Sequence, residues 1–187
     1  MQTNILWTGR EYYSLENCLI DESAAGAEIS SAIIGYYEEK MYKVEYRINT
    51  NTHWETVFFE IVCHINNQTQ TITGESDGKG NWSKAGESLE QFKGCIDIDI
   101  SLTPFTNTLP IRRLQLQPHE TREIQVLYCN LLNGQTMPVR QQYTCLSATE
   151  YKYENIPNDF EATIQVDASG FVVDYPSLFV RTAALQY

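Results

Sequence analysis

Positive charge is scarce in this 187-residue chain, which has 13 lysines and arginines against 24 aspartates and glutamates, a formal net charge of -11. A surface of that sign repels phosphate backbones and anionic lipid head groups, so nucleic acid and anionic membranes are disfavoured as partners. Long apolar runs are also missing, and no stretch approaches the roughly 20 residues of a membrane span. Residues 1–10 show neither a basic nor an apolar leader segment. No signal peptide is therefore predicted, and we expect a cytoplasmic protein.

The motifs typical of metal sites and nucleophilic catalysis are missing as well. The three histidines, His53, His64 and His119, show neither HxH nor HExxH spacing, and the five cysteines form no CxxC pair. There is no GxSxG elbow, no GxGxxG and no phosphate-binding loop. We therefore predict no metal site, no cofactor and no catalytic set, and we expect the cysteines to be buried, reduced thiols.

Apolar residues, by contrast, are plentiful enough for a core, at 42% of the chain with 12% aromatic. The clearest pattern is the alternation of apolar and polar residues over residues 42–49 and again over 57–65, which predicts β-strands. No linker or internal repeat interrupts the chain, so we predict one domain over residues 1–187. About ten strand candidates at regular spacing predict a barrel, a sandwich or a strongly curved open sheet.

Helical signals are weak throughout. Residues 88–92 are compatible with one helical turn that Gly94 ends. The prolines at either end of residues 102–110 predict a loop there rather than a regular element. A mainly β protein with short helical turns is therefore the predicted class.

One segment concentrates the charged candidates. Asp97 and Asp99 lie two apart on a predicted strand, so their carboxylates project from one face, and Arg112 and Arg113 follow across a loop. These four residues could recognise a polar head group, since the arginine fork suits a phosphate, carboxylate or diol. A structural network that holds the loop to the sheet is the preferred interpretation of these charges, because such networks are common. The aspartates as an acid/base pair are a third interpretation.

Aromatic residues supply a second set of candidates. Tyrosine and tryptophan suit a cavity wall that contacts both apolar chains and hydroxyl groups, although ordinary strand packing explains any single one. The residues are Trp7, Tyr12, Tyr13, Tyr36, Tyr37, Trp54, Trp82, Tyr143, Tyr151, Tyr153 and Tyr175.

The segment from Asp97 to Leu114, DIDISLTPFTNTLPIRRL, resembles the signature of a bacterial family of uncharacterised proteins named putative glycolipid-binding. Shorter matches follow the same order along the chain, at residues 80–82, 142–143, 166–170 and 174–176. The resemblance implies a single large antiparallel sheet curled into a half-open β-barrel, similar to bacterial lipoprotein carriers and their receptors, which hold acyl chains on a concave face. By position in the family motif, the implied ligand-binding residues are Asp97, Asp99, Thr106, Asn107, Arg112, Arg113, Trp82, Tyr143 and Tyr175.

Three hypotheses follow. The first is non-catalytic binding of a lipid or a glycolipid-like amphiphile on the concave face of the sheet. The second is a small hydrolase or lyase that uses Asp97 or Asp99. The third is a structural scaffold, with a homo-oligomer possible, whose exposed sheet edge pairs with itself or with another protein.

Overall fold

Fifteen β-strands make up most of the chain, which the computed structural model describes over residues 1–187. The first eight strands are β1 (Gln2–Gly9), β2 (Ser14–Ser23), β3 (Gly26–Tyr37), β4 (Lys40–Thr50), β5 (Thr56–Ile65), β6 (Gln68–Ser76), β7 (Trp82–Lys84) and β8 (Glu87–Ser88). The other seven are β9 (Asp97–Ile100), β10 (Thr121–Asn130), β11 (Gln135–Ser147), β12 (Glu150–Ile156), β13 (Glu161–Val166), β14 (Val172–Tyr175) and β15 (Phe179–Gln186). Helical structure is limited to two 3-10 turns, Glu90–Phe92 and Phe105–Asn107, and one α-helix, α1 (Thr108–Leu114). None of these helices has the length and apolar character needed to cross a membrane.

All fifteen strands belong to one sheet, in the order β8-β7-β6-β5-β4-β3-β2-β1-β15-β14-β13-β12-β11-β10-β9. Neighbours are antiparallel except β9 and β10, which are parallel, so the sheet is mixed at that one pair. The two edge strands, β8 and β9, are consecutive in the sequence. The chain therefore builds one half of the sheet from β1 to β8, crosses to the far edge, and returns to pair β15 with β1.

The sheet curls but does not close, as the predicted half-open barrel requires. Where its two ends approach, two hydrogen bonds replace a strand ladder: Gly94 N donates to the Gly80 carbonyl at 2.9 Å, and Trp82 Nε1 donates to the Cys95 carbonyl at 2.7 Å. Gly80 has a left-handed φ of 83°, and a Cβ atom there would lie 2.8 Å from Gly94 Cα, so glycine is required for this approach. The predicted single helical turn at residues 88–92 is present as the 3-10 turn just before this seam.

Strand β4 shows why the sheet has an inner and an outer face. Tyr42, Val44, Tyr46 and Ile48 are buried, while the intervening Lys43, Glu45 and Arg47 are exposed, so the predicted alternation over residues 42–49 is confirmed. Phe58 and Val62, on the outer face of β5, are half-buried.

The interior is filled unevenly. A cluster of 26 buried residues packs mainly against β1 to β6 and β9, with the side chains of Trp7, Tyr46, Phe59 and Phe105 among the largest. A smaller cluster of 11 buried residues lies against β11 to β15. Side chains therefore fill the curled sheet more completely beneath its first strands than towards the strands that follow β9.

The segment that follows β9 differs from the predicted loop. It forms the 3-10 turn Phe105–Asn107 and then α1, whose Leu109 and Ile111 are buried. Pro110 is the third residue of α1. The backbone N–H groups of the first helical turn have no intrahelical acceptor, so a proline, which lacks the N–H, is compatible with the helix at this position. The predicted loop over residues 102–110 was wrong because the prolines were expected to prevent a helix, whereas Pro110 lies in the first turn of α1.

Candidate functional site

An open pocket of about 610 Å³ lies in the half of the sheet formed by β9 to β15. Its walls come from β9, the segment that follows it, β10, β11, β12, β14, the start of β15, the β12–β13 and β14–β15 loops, and the turn between β1 and β2. The lining residues are Glu11, Tyr12, Asp99, Ile100, Ser101, Thr103, Asn107, Tyr128, Met137, Val139, Arg140, Gln141, Tyr153, Asn155, Ile156, Pro157, Asp159, Phe160, Tyr175, Leu178 and Phe179. This volume lies within the range of about 300–1,000 Å³ typical of small-ligand sites.

One wall of the pocket is a continuous series of aromatic rings. The ring centroids of Tyr12 and Phe179 are 5.6 Å apart, those of Phe179 and Tyr175 6.3 Å, and Tyr175 lies 6.2 Å from both Tyr153 and Phe160. These separations and the tilted or edge-on ring planes are those of favourable aromatic pairs. The aromatic wall, as we call these five rings, therefore presents a preformed apolar surface.

Another part of the lining, the polar wall, is centred on Asp99. Its Oδ2 accepts a hydrogen bond from Gln141 Nε2 at 2.7 Å, and its Oδ1 accepts one from Thr106 Oγ1 at 3.1 Å. Burial raises the pKa of Asp99, and these two hydrogen bonds oppose that rise by favouring the charged form. Burial and the charge of Asp99 together raise the pKa of Tyr128 to about 12, so this phenol remains a neutral hydrogen-bond donor at physiological pH.

Asn107 and Thr103 also belong to the polar wall. A hydrogen bond with a buried residue outside the pocket lining fixes each of the two side chains. Tyr143 Oη donates to Asn107 Oδ1 at 2.9 Å. Thr103 Oγ1 donates to Oε1 of the buried Glu16 at 2.9 Å. The segment after β9 is thus fixed to the sheet by buried hydrogen bonds at two points on the pocket wall.

Glu16 itself is an unusual residue to find inside the sheet. Its Oε1 accepts hydrogen bonds from Ser31, Tyr46 and Thr103 at 2.7–2.9 Å, whereas Oε2 is buried without any partner. Burial raises the pKa of Glu16 to about 7, although the three hydroxyl donors oppose the rise. Burial outweighs the three donors, so the protonated form of Glu16 is favoured more than in an exposed glutamate.

Asp97 and the two arginines are engaged in ion pairs outside the pocket. Arg113 binds Asp97 through two nitrogens, with Nη2 2.7 Å from Oδ2 and Nε 3.1 Å from Oδ1. Arg112 binds Glu22 in the same two-pronged way at 2.8 and 3.1 Å, and its guanidinium carbon lies 3.8 Å from the centroid of the Trp54 ring. These contacts attach the end of α1 to β9 on one side and to β2 on the other.

A second cavity of about 680 Å³ lies between the β5–β6 and β10–β11 turns. Its lining contains neither an aromatic nor an acidic side chain, and only Lys40 carries a charge. Lys40 Nζ donates to the Leu132 carbonyl at 3.2 Å across it, so this charge already joins the start of β4 to the β10–β11 turn. We therefore take the first pocket as the candidate site.

No group of three or more His, Cys, Asp or Glu side chains is arranged to hold a metal ion. All five cysteines are buried and unpaired, which confirms the predicted buried thiols.

The sequence profile of a family described as "Putative glycolipid-binding" matches residues 4–181. The chain belongs to this putative glycolipid-binding family. It is similar to a DUF1089 family protein from Pseudomonas aeruginosa whose crystal structure is known at 1.80 Å resolution, with 34% sequence identity and a TM-score of 0.79. The match covers 89% of this chain and 91% of the other. No curated protein matches the chain.

Five of the nine residues that the glycolipid-binding family motif implied are brought together at the pocket. Asp99, Asn107 and Tyr175 line it, whereas Thr106 and Tyr143 lie directly behind the wall and hold Asp99 and Asn107 in place. The other four do not line it. Asp97, Arg112 and Arg113 form the ion pairs described above, and the Trp82 indole is buried at the seam.

The sequence analysis missed several pocket residues, notably Gln141, Tyr128, Phe160 and Phe179. Gln141 had a usable signal, because it shares the inward-facing register of β11 with Tyr143 and Cys145, and all three are buried. A polar side chain at an inward position of a strand needs a buried partner or a ligand. The aromatic residues come from three separate regions of the chain, and only the curl of the sheet collects them.

Proposed function

We propose that this protein binds an amphiphilic, glycolipid-like molecule in the pocket formed by β9 to β15, without chemical conversion of the ligand. The observation that carries the proposal is the division of the pocket into the aromatic wall and a polar wall of carboxylate, amide and hydroxyl groups. A molecule with an apolar chain and a hydroxylated head group is complementary to both walls at once.

The apolar contribution is large enough to support measurable affinity. Each buried methylene contributes about 0.8 kcal/mol, so an eight-carbon chain gains about 6 kcal/mol. Part of this gain is offset by the lost freedom of the two partners. Polar contacts to the head group are therefore needed for specificity.

The polar wall is suited to hydroxyl groups because its members both accept and donate. Asp99 accepts, and each carboxylate oxygen retains a lone-pair site beyond the single hydrogen bond that it receives within the protein. The Tyr128 phenol on β10 and the Asn155 amide on β12 add donors. A sugar hydroxyl likewise offers one donor and two acceptor sites.

Binding of octyl glucoside below its micelle concentration, measured by isothermal titration calorimetry, tests the proposal. Val139 lies on β11 and lines the pocket, so Val139→Trp should fill the space and weaken binding at least tenfold. Val62→Trp is the matched control, because Val62 is a half-buried strand valine on the outer face of β5, opposite the exposed Glu45. It should leave the affinity unchanged. Equal binding by the two variants, or no binding by the wild-type protein, would contradict the proposal.

Native mass spectrometry of protein purified without detergent provides an independent test. A bound amphiphile carried through purification should appear as a discrete mass increment, and Val139→Trp should remove it while Val62→Trp should not. An increment of equal occupancy in both variants would place the ligand elsewhere.

The hydrolase or lyase alternative receives less support. A pair of carboxylates acting as acid and base needs both groups at the substrate, but Asp97 is fully buried and ion-paired with Arg113. Pairing of an exposed sheet edge with another chain is also disfavoured. One edge strand, β8, has only two residues, and the 3-10 turn Phe105–Asn107 and α1 lie against the other edge strand, β9.

A further inference from the structure

Three carboxylates line the pocket, and none of them has a cationic partner in the protein. Asp99 lies within the polar wall, whereas Glu11 and Asp159 are exposed at the mouth. Their hydrogen-bond donors are all neutral groups: Thr106 and Gln141 for Asp99, Tyr37 for Glu11, and Asn155 for Asp159. None of the three takes part in a salt bridge, although nine salt bridges occur elsewhere.

Positive charge at the pocket is limited to one residue. Arg140 lies at the exposed rim, and its guanidinium is 3.0 Å from the carboxylate of Glu123. The lining therefore has three uncompensated negative charges and one positive charge that is already paired. A phosphate, sulfate or carboxylate head group would meet like charge here.

The aromatic wall faces the same space. The faces of aromatic rings attract cations, and a carboxylate beside several such rings is a favourable environment for an ammonium group. Burial is the main cause of the raised pKa of Tyr153 and of Tyr175, and the negative charge of Asp99 adds to it. Asp99 and the aromatic wall thus act on one region of the pocket.

We propose that the preferred ligand carries a protonated amino group on its head, and that Asp99 and the aromatic wall select it over neutral and anionic counterparts. The inference rests on the proposed function and specifies its ligand class. An ammonium group would donate a charge-assisted hydrogen bond to Asp99 and supply the counter-charge that the fold does not provide. A purely hydroxylated head satisfies hydrogen bonds but leaves the charge unbalanced.

Three octyl glycosides that differ in head-group charge test this inference. Octyl 2-amino-2-deoxyglucoside, octyl glucoside and octyl glucuronide are positive, neutral and negative, respectively, in a mildly acidic buffer. Their dissociation constants are compared by calorimetry at low and high salt. We expect the amino sugar to bind at least tenfold more tightly than the glucoside, the glucuronide to bind most weakly, and salt to reduce the difference.

The Asp99→Asn variant tests whether Asp99 is responsible for the preference for the amino sugar. The variant should lose most of the tenfold advantage of the amino sugar, measured as the ratio of the amino-sugar and glucoside dissociation constants within the same variant. Asp21→Asn is the matched control, because Asp21 is exposed on β2 and does not line the pocket. It should keep the wild-type ranking.

The outcomes separate the two proposals. If the neutral glucoside binds as tightly as the amino sugar, or the glucuronide binds best, the charge preference is wrong while the binding function stands. If none of the three binds, both proposals are wrong. The wild-type ranking decides the question even if Asp99→Asn fails to fold, and a preference that survives in a folded Asp99→Asn variant would overturn the role of Asp99.

Discussion

The buried Glu16 should make the stability of this protein fall as the pH rises from mildly acidic to neutral. Each pKa unit corresponds to about 1.4 kcal/mol, so a pKa raised from 4.5 to about 7 corresponds to about 3 kcal/mol. The folded state binds the proton more tightly than the unfolded chain. Stability from this group is therefore fully present below pH 4.5, is lost between pH 4.5 and about 7, and stays lost above that.

Replacement by glutamine removes the titration while keeping the side-chain shape. The amide oxygen introduced by Glu16→Gln can accept the hydrogen bonds that Ser31, Tyr46 and Thr103 now give to Oε1. The amide nitrogen would occupy the position of Oε2, which has no partner, at a cost of about 1–3 kcal/mol. That cost does not depend on pH. The informative quantity is therefore the change in the free energy of unfolding between two pH values, compared within each protein.

The assay is urea unfolding followed by tryptophan fluorescence at a series of pH values from about 5 to about 8. The wild-type free energy of unfolding should fall over this range, with the Glu16 contribution amounting to about 2–3 kcal/mol, and Glu16→Gln should lack that contribution. Glu28→Gln, which removes an exposed glutamate on β3, should behave as wild type. A Glu16→Gln variant whose stability falls as steeply as that of the wild-type protein would refute the reasoning.

Three further substitutions have consequences that follow from buried contacts, each measured by urea unfolding. Arg113→Ala leaves the fully buried Asp97 carboxylate without its partner and should cost about 3–5 kcal/mol, whereas Asp97→Asn in the same background should recover part of that loss. Tyr143→Phe leaves Asn107 Oδ1 without its donor and should cost about 1–3 kcal/mol; no change would show that water replaces the phenol. Arg112→Lys keeps the charge but loses both the second hydrogen bond and the stacking, and should cost about 1–2 kcal/mol.

Strands with an apolar inner face could be predicted from their alternation, but β2 could not. On β2 the inward positions are Ser14, Glu16, Cys18 and Ile20, so half of them are polar and the period of two is hidden. Glu16 is buried there because hydroxyl groups from β3, β4 and the segment after β9 surround it. Local pattern cannot show a partner that is 87 residues away in the chain.

The candidate site was predicted in part. The motif from Asp97 to Leu114 correctly marked the segment that forms one wall, including Asp99 and Asn107. Position in a motif could not tell which charges face the pocket. Asp97 and Asp99 are two residues apart on β9, yet Asp97 meets Arg113 and Asp99 meets Gln141, because different elements cover the two ends of this short strand.

The sequence by itself determined the class of the protein: its alternating apolar residues predict strands, and its acidic composition limits the partners that its surface can attract. Only the tertiary structure decided where the interior is solid and where it is hollow, since packing depends on which side chains meet across the curled sheet. The tertiary structure also decided which carboxylates are neutralised, because an ion pair depends on the distance between two groups in space. Arg113 pairs with Asp97 and Arg112 pairs with Glu22, and neither arginine pairs with Asp99.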